Sequence, residues 1–106
     1  MYKIMRVVVL FDLPTGTKKE RGDAARFRNF LLDDGFDMLQ YSVYSRICPN
    51  RDNAETHLRR VSNIAPDSGS VRVLMITENQ FTSMYVLAGE KTSQESLITS
   101  KQLAFF

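Results

Sequence analysis

The stretch "VVVLFDLPTGTKKERGDAARFRNF", residues 7–30, contains the pattern that decides the fold, a strand followed by a turn and a helix. Residues 7–11 are apolar without alternation, which is typical of a central strand with both faces covered. The following "PTG" ends the strand. Thr17 and Glu20 match the capping box that begins a helix, and Gly35 is predicted to end that helix in the left-handed conformation.

Beyond this stretch, the sequence predicts a second helix and several further strands. Residues 36–48 are predicted to form an extended pair with a bulge near Leu39, and a helix that begins with an Asp52–Glu55 capping box ends at Pro66. A second interior strand at 71–77 and a strand at 83–88 follow. A polar arm and a short terminal strand in "QLAFF" complete the chain order.

This element order predicts an α+β fold, a ferredoxin-like βαββαβ sandwich with one or more extra C-terminal strands. We expect residues 1–90 to form the domain and residues 91–106 to form a C-terminal arm that completes it or contacts a partner. Two helices cover only one face of such a sheet, yet its interior strands are apolar on both faces. The sequence therefore predicts a homodimer in which the second face is covered.

Composition excludes several classes of site and leaves one weak signal. The chain has 106 residues, a net charge of +2 and a pI near 8.8, so charge alone is a weak argument for a nucleic-acid partner. Cys48 is the only cysteine, which fits a structural thiol in a reducing cytoplasm, and His57, the only histidine, is predicted to lie on the surface. No zinc set or serine triad can be assembled, and no apolar run is long enough for a signal peptide or a membrane span. We expect a cytoplasmic protein without a membrane partner.

Asp12, directly after the apolar run, has two interpretations. Its carboxylate can accept backbone hydrogen bonds in the turn-rich "DLPTG". Alternatively, it binds a hard cation such as Mg²⁺ or Mn²⁺, which needs only one or two carboxylates, several waters and substrate phosphates. In a two-fold dimer, Asp12 would be present as a pair.

Basic side chains follow Asp12, and they also have two interpretations. They form either a phosphate-binding surface or a solvated helix face. The candidates are Lys18, Lys19, Arg21, Arg26 and Arg28, with Arg46 or Arg60 as additions. Ser42, Tyr44 and Arg46 alternate along one predicted strand face, and they either meet phosphate and sugar or lie on a solvent face.

Several of these motifs resemble those of the CRISPR-associated protein 2 family, especially the form found beside type II systems. The resemblance is carried by "VVVLFDLPT", "RFRNFLLDDGF", "MLQYSVYSRI", "VRVLMITENQF" and "MYVLAGEK". It implies a ferredoxin-like homodimer with the strand-end Asp, here Asp12, near the two-fold axis. It also implies that Tyr44 is the aromatic of the strand motif and that Arg21, Arg26 and Arg28 lie in the arginine-bearing helix.

The resemblance leaves two functional hypotheses. In the first, the dimer is a Mg²⁺-dependent endonuclease that cleaves RNA or double-stranded DNA, with Asp12 as catalytic and metal-binding residue. In the second, the dimer is a DNA-binding scaffold that bridges CRISPR integrase subunits during spacer acquisition, with no need for a metal. The expected partners are a second copy of the chain, the integrase subunit, and double-stranded DNA or RNA.

Overall fold

A four-stranded antiparallel sheet with the order β2-β3-β1-β4 is the centre of the computed structural model, which describes residues 3–89. The elements in chain order are β1 (Met5–Asp12), α1 (Lys18–Asp33), β2 (Asp37–Gln40), β3 (Val43–Cys48), α2 (Arg51–Ile64), β4 (Ser70–Thr77) and α3 (Glu78–Thr82). The α+β class predicted from the sequence is therefore correct.

Strand β1 lies between β3 and β4, as its uninterrupted apolar run predicts. Val7 and Val9 are fully buried on the face that α1 and α2 cover, which we call the helical face. Arg6 and Val8 lie on the opposite face, which we call the open face. They are also buried, at 3% and 6% exposure. Both faces of β1 are thus covered in this part of the strand.

Helix α1 begins and ends at the predicted signals. The Thr17 hydroxyl accepts a hydrogen bond from the Glu20 N–H at 3.1 Å, and the Glu20 carboxylate accepts one from the Thr17 N–H at 2.9 Å. Gly35 follows the helix with φ +89°. Phe27 and Leu31 are buried against the helical face.

The N-cap of helix α2 lies two residues before the predicted cap, Asp52. Asn50 is the cap, and its side-chain oxygen accepts the Asn53 N–H at 2.8 Å. The extended backbone of Asn50 allows this contact. Asp52 lies in the first turn, where its charge is favourable near the helix N-terminus.

The hairpin of β2 and β3 contains the predicted bulge, because the register shifts between Met38 and Gln40. No glycine or proline occupies its turn. Ser42 takes the left-handed conformation instead, with φ +62°, and its carbonyl accepts the Phe11 N–H at 3.0 Å.

Two predictions for the C-terminal half of the domain are wrong. Within the described residues, β4 pairs with β1 alone and is an edge strand, not an interior strand. Residues 83–88 form no strand there, because helix α3 carries the chain away from β4 and no strand lies beside it. Tyr85 and Leu87 are 89% and 94% exposed as a result.

Helix α3 packs on the open face through a buried ion pair. The Arg6 guanidinium donates two hydrogen bonds to the Glu78 carboxylate, at 3.0 and 2.6 Å, and lies 4.2 Å from the centre of the Phe81 ring. These contacts explain how a charged residue can be buried in the central strand.

The predicted arm at 91–106, including the terminal "QLAFF" strand, lies outside the described residues. In the part of the chain that the structure describes, none of the helices has the length and apolar character needed to cross a membrane.

Candidate functional site

Asp12 is the last residue of β1 and lies exposed at one end of the open face. Successive strand residues point to opposite faces, so the burial of Phe11 on the helical face directs Asp12 to the other. Asp12 pairs with Ser70 at the start of β4. The site is therefore built where the central strand ends and the edge strand begins.

Gly69 holds the turn that approaches Asp12. It has φ +83°, and a Cβ at this position would lie 2.5 Å from the Asp12 carbonyl oxygen. A side chain here would meet both the backbone strain of the left-handed region and a direct clash. Glycine at this position thus allows the turn before β4 to pack against the end of β1.

Ser70 and Arg72 share the open face with Asp12, since Arg72 pairs with Leu10, two residues before Asp12 on β1. Arg72 is exposed. In the sequence this arginine is only an interruption in an apolar strand. Its position beside Asp12 follows from the β1–β4 register, which the spacing of residues along the chain does not reveal.

Around Asp12, the described residues offer one exposed carboxylate and no closed metal site. Within residues 3–89 there is no group of three or more His, Cys, Asp or Glu residues that could hold a metal ion. A closed zinc-type site is therefore not formed in that range. Mg²⁺ requires less from the protein, because one or two carboxylates suffice when waters and phosphate oxygens supply the other ligands.

The basic residues of α1 do not form one patch. At about 100° per residue, Lys19 and Arg26 lie on one flank of the helix, while Arg21 and Arg28 lie on the opposite flank. Lys19 and Arg26 both bind the Asp23 carboxylate. The hydrogen bond from Lys19 is the main reason that the pKa of Asp23 lies below its ordinary value.

The two flanks have different surroundings. Lys19 and Arg26 line a cleft of about 690 Å³ between α1 and the turn after α2, with Phe30 and Pro66 among its apolar residues. The Arg21 guanidinium donates to the Thr15 carbonyl at 3.2 Å, in the loop that follows Asp12. Lys18 is exposed at the start of the helix, and Arg28 is half-buried.

The predicted contact face of Ser42, Tyr44 and Arg46 is not a surface, so that expectation is wrong. Tyr44 is 4% exposed and its ring stacks on Phe11 with a centroid distance of 5.7 Å. Arg46 is half-buried, and its Nε donates to the Asp34 carbonyl at 2.8 Å. Ser42 lies in the hairpin turn before β3. Strand alternation correctly places Tyr44 and Arg46 on one face, but this face is the helical one.

A buried cluster on the helical side was missed at the sequence level. His57, predicted to lie on the surface, is 4% exposed, and its Nδ1 lies 2.7 Å from an Asp34 carboxylate oxygen. Arg60 donates to the other oxygen at 2.8 Å, so its guanidinium is engaged by this cluster. Burial acts to raise the pKa of Asp34, but the hydrogen bonds from His57 and Arg60 outweigh it and hold the pKa below the ordinary value.

Cys48 is fully buried, in agreement with a structural thiol. Burial raises its pKa, which lowers the fraction of reactive thiolate.

Comparison with known proteins gives consistent matches over nearly the whole chain. Residues 5–84 match the family model described as CRISPR associated protein Cas2. A protein of Parvibaculum lavamentivorans named CRISPR-associated endoribonuclease Cas2 is 49% identical over 102 residues, which cover 96% of this chain and 100% of the relative. Proteins with the same name from Acidovorax ebreus and Flavobacterium psychrophilum are 47% and 45% identical, over 96% and 99% of this chain and 100% and 90% of theirs.

A solved structure described as "Crystal structure of cas2" is similar in fold, with a TM-score of 0.58 at 19% identity. The match covers 85% of this chain and 92% of that chain.

Proposed function

The chain belongs to the CRISPR-associated protein Cas2 family, and from this premise we propose that it is a nucleic-acid-binding CRISPR adaptation protein whose homodimer carries an endonuclease site at Asp12. The observation that carries the nuclease proposal is the exposed carboxylate of Asp12 at the end of the central strand. The names of the relatives favour RNA as the substrate of this activity.

Asp12 is the residue that would hold Mg²⁺ or Mn²⁺, as one carboxylate from each of two protomers. When bound, such a cation would activate a water and neutralise the charge that develops on the phosphate. The described residues supply the setting for this chemistry. Gly69 fixes the end of β1, and Ser70 brings a hydroxyl opposite Asp12 on the same face.

Phosphate binding is assigned to the exposed basic side chains of α1, because they can contact the nucleic-acid backbone without reading its sequence. Lys18 and Arg21, at the end of the helix that follows the Asp12 loop, are the first candidates. Lys19 and Arg26 on one flank, and Arg28 on the other, are further candidates. Tyr44 lies in the core and the half-buried Arg46 holds the Asp34 carbonyl, so neither is assigned to phosphate binding.

We assign a two-fold homodimer on the apolar character of the open face. Leu74 on the edge strand β4 is 53% exposed, and Ile47 on the interior strand β3 is 46% exposed. The edge of β4 and the apolar segment at 83–88 add further surface that a second copy can cover. We extend this assignment to a ferredoxin-like dimer, in which the open face, not covered by α1 and α2, is buried between the protomers.

A second candidate function is a DNA-binding scaffold that bridges integrase subunits without cleaving nucleic acid. The position of His57 favours it. The imidazole is buried against Asp34 on the helical side, away from the open face that carries Asp12, so it is not available there as a general base.

The two candidates are separated by Asp12→Asn, which removes the charge and preserves the size of the side chain. Asp37→Asn is the matched control, because Asp37 is exposed on the same sheet face but on β2. For the nuclease, we expect Mg²⁺-dependent cleavage of RNA to be lost in Asp12→Asn and retained in Asp37→Asn. Duplex binding in EDTA should be retained by both variants. Equal cleavage by wild type and Asp12→Asn, in nuclease-free preparations, would contradict a nuclease site at Asp12. Absence of cleavage by the wild type would leave the scaffold.

A further inference from the structure

The open face is divided into an apolar region and a polar end. The residues of β4 on this face are Ser70, Arg72, Leu74 and Ile76, in the order in which they run away from Asp12. Leu74 and Ile76 continue the surface that we assign to the dimer. Ser70 and Arg72 lie beside Asp12, and their polar and charged side chains do not fit an apolar interface.

The register places Arg72 within reach of whatever binds at Asp12. Ser70 is directly opposite Asp12, and Arg72 is the diagonal neighbour on the same face. Diagonal positions across an antiparallel pair lie about 7–8 Å apart, a span that an arginine side chain bridges.

Arg72 also differs from most arginines of the domain in its contacts. Arg6 donates to the Glu78 carboxylate, and Arg60 donates to the Asp34 carboxylate. Arg46 donates to the Asp34 backbone carbonyl. Within residues 3–89, Arg72 has neither an ion pair nor a side-chain hydrogen bond, even with Asp12. The guanidinium of Arg72 and the carboxylate of Asp12 are both exposed and do not contact each other. This leaves room between them for an anion, which would bind the fork of Arg72 on one side and a cation held by Asp12 on the other.

We propose that Arg72, with the hydroxyl of Ser70, forms a phosphate subsite beside Asp12 that holds the phosphodiester to be cleaved. This inference deepens the proposed function and rests on it. Arginine suits the role because its planar fork binds two phosphate oxygens at once, which fixes the orientation of the phosphate as well as its position. Ser70, on the same strand as Arg72 and directly across from Asp12, adds one hydroxyl donor.

The test compares Arg72→Gln and Arg72→Lys with Arg59→Gln. Arg59 is an exposed arginine on α2 whose side chain, within residues 3–89, donates a hydrogen bond to Thr56 and forms no ion pair. Binding of single-stranded RNA is measured in EDTA at several salt concentrations, and cleavage is measured with Mg²⁺. We expect Arg72→Gln to lower the cleavage rate at least tenfold and to flatten the log–log salt dependence of binding by about 0.7, the value for one phosphate contact on a single strand. Arg72→Lys should restore the salt dependence but not the full cleavage rate, because it keeps the charge and loses the fork.

The failure of this inference is distinguishable from the failure of the proposed function. If Arg72→Gln binds and cleaves like Arg59→Gln, the subsite is refuted while the Asp12 site stands. If the wild type cleaves nothing, the nuclease proposal fails, and the salt dependence alone then decides whether Arg72 contacts phosphate. If Arg72→Gln instead sediments as a lighter species than the wild type, Arg72 belongs to the protomer interface and the subsite is again refuted.

Discussion

The Arg6–Glu78 pair provides the sharpest test of how α3 is held on the sheet, through the substitution Glu78→Ala. The side chains of Arg6 and Glu78 are only 4% and 9% exposed, so the guanidinium would lose its carboxylate in a site that water hardly reaches. Breaking a buried pair by removing one partner costs about 3–5 kcal/mol. A domain of this size has a total stability of about 5–15 kcal/mol, so the loss would be a large share of it.

Glu55→Ala is the matched control. Glu55 pairs with Arg51 on the surface of α2, where the two side chains are 44% and 71% exposed, and such pairs contribute at most about 0.5 kcal/mol. Urea unfolding at one fixed protomer concentration measures both variants, because the stability of a dimer depends on concentration.

A double variant separates burial from charge. Arg6→Met combined with Glu78→Leu should be less destabilised than Glu78→Ala alone, since it leaves no uncompensated charge in the apolar site. If Glu78→Ala loses no more stability than Glu55→Ala, the buried pair does not hold α3 and the reasoning is refuted.

Three further outcomes follow from the geometry. Gly69→Ala should lose more stability than Gly89→Ala in urea unfolding. Both glycines have positive φ, so alanine costs about 1–2 kcal/mol at either position, but only at Gly69 would the Cβ clash with the Asp12 carbonyl. Equal losses would show that the clash is relieved. Asp34→Asn should lower the free energy of unfolding by about 2 kcal/mol near pH 5, and this loss should become smaller as the pH falls below 3.8. The lowered pKa of Asp34 stabilises the folded wild type at pH values above the ordinary pKa, and this stabilisation disappears as the carboxylate is protonated. A pH-independent difference would contradict this. Leu74→Glu should convert a dimer into the 12.2 kDa monomer in sedimentation experiments, because it introduces a charge on the proposed apolar interface; an unchanged mass would exclude this face as the interface.

The elements that sequence analysis predicted correctly depend on local signals. The capping box of Thr17 and Glu20 begins α1 through contacts three residues apart, and Gly35 ends the helix through its own backbone conformation. Helix α3 was overlooked although Thr77 and Gln80 form the same kind of box, because a helix of five residues is too short for a hydrophobic period.

The errors concern features that depend on distant contacts. The apolar character of 71–77 indicates burial, but whether a strand lies at the edge of a sheet is decided by the arrangement of the other strands. Alternation puts Tyr44 and Arg46 on one face without revealing which face the helices cover. His57 is buried by Asp34, a residue 23 positions away, which no local pattern indicates. For the candidate site, the Asp12 position was predictable, whereas its neighbour Arg72 required the β1–β4 register.

The burial of Cys48 has a practical consequence for measuring how two protomers meet in the proposed homodimer. Since it is the only cysteine in the sequence and its thiol is enclosed and poorly ionised, thiol-reactive probes should leave it unmodified in the folded protein. A cysteine introduced at an exposed position, such as Ser68→Cys in the turn before Gly69, would then be the single labelling position, with no need to replace Cys48. In the proposed homodimer, a pair of spin labels at that position would report the distance between protomers close to the two Asp12 carboxylates, with and without added nucleic acid.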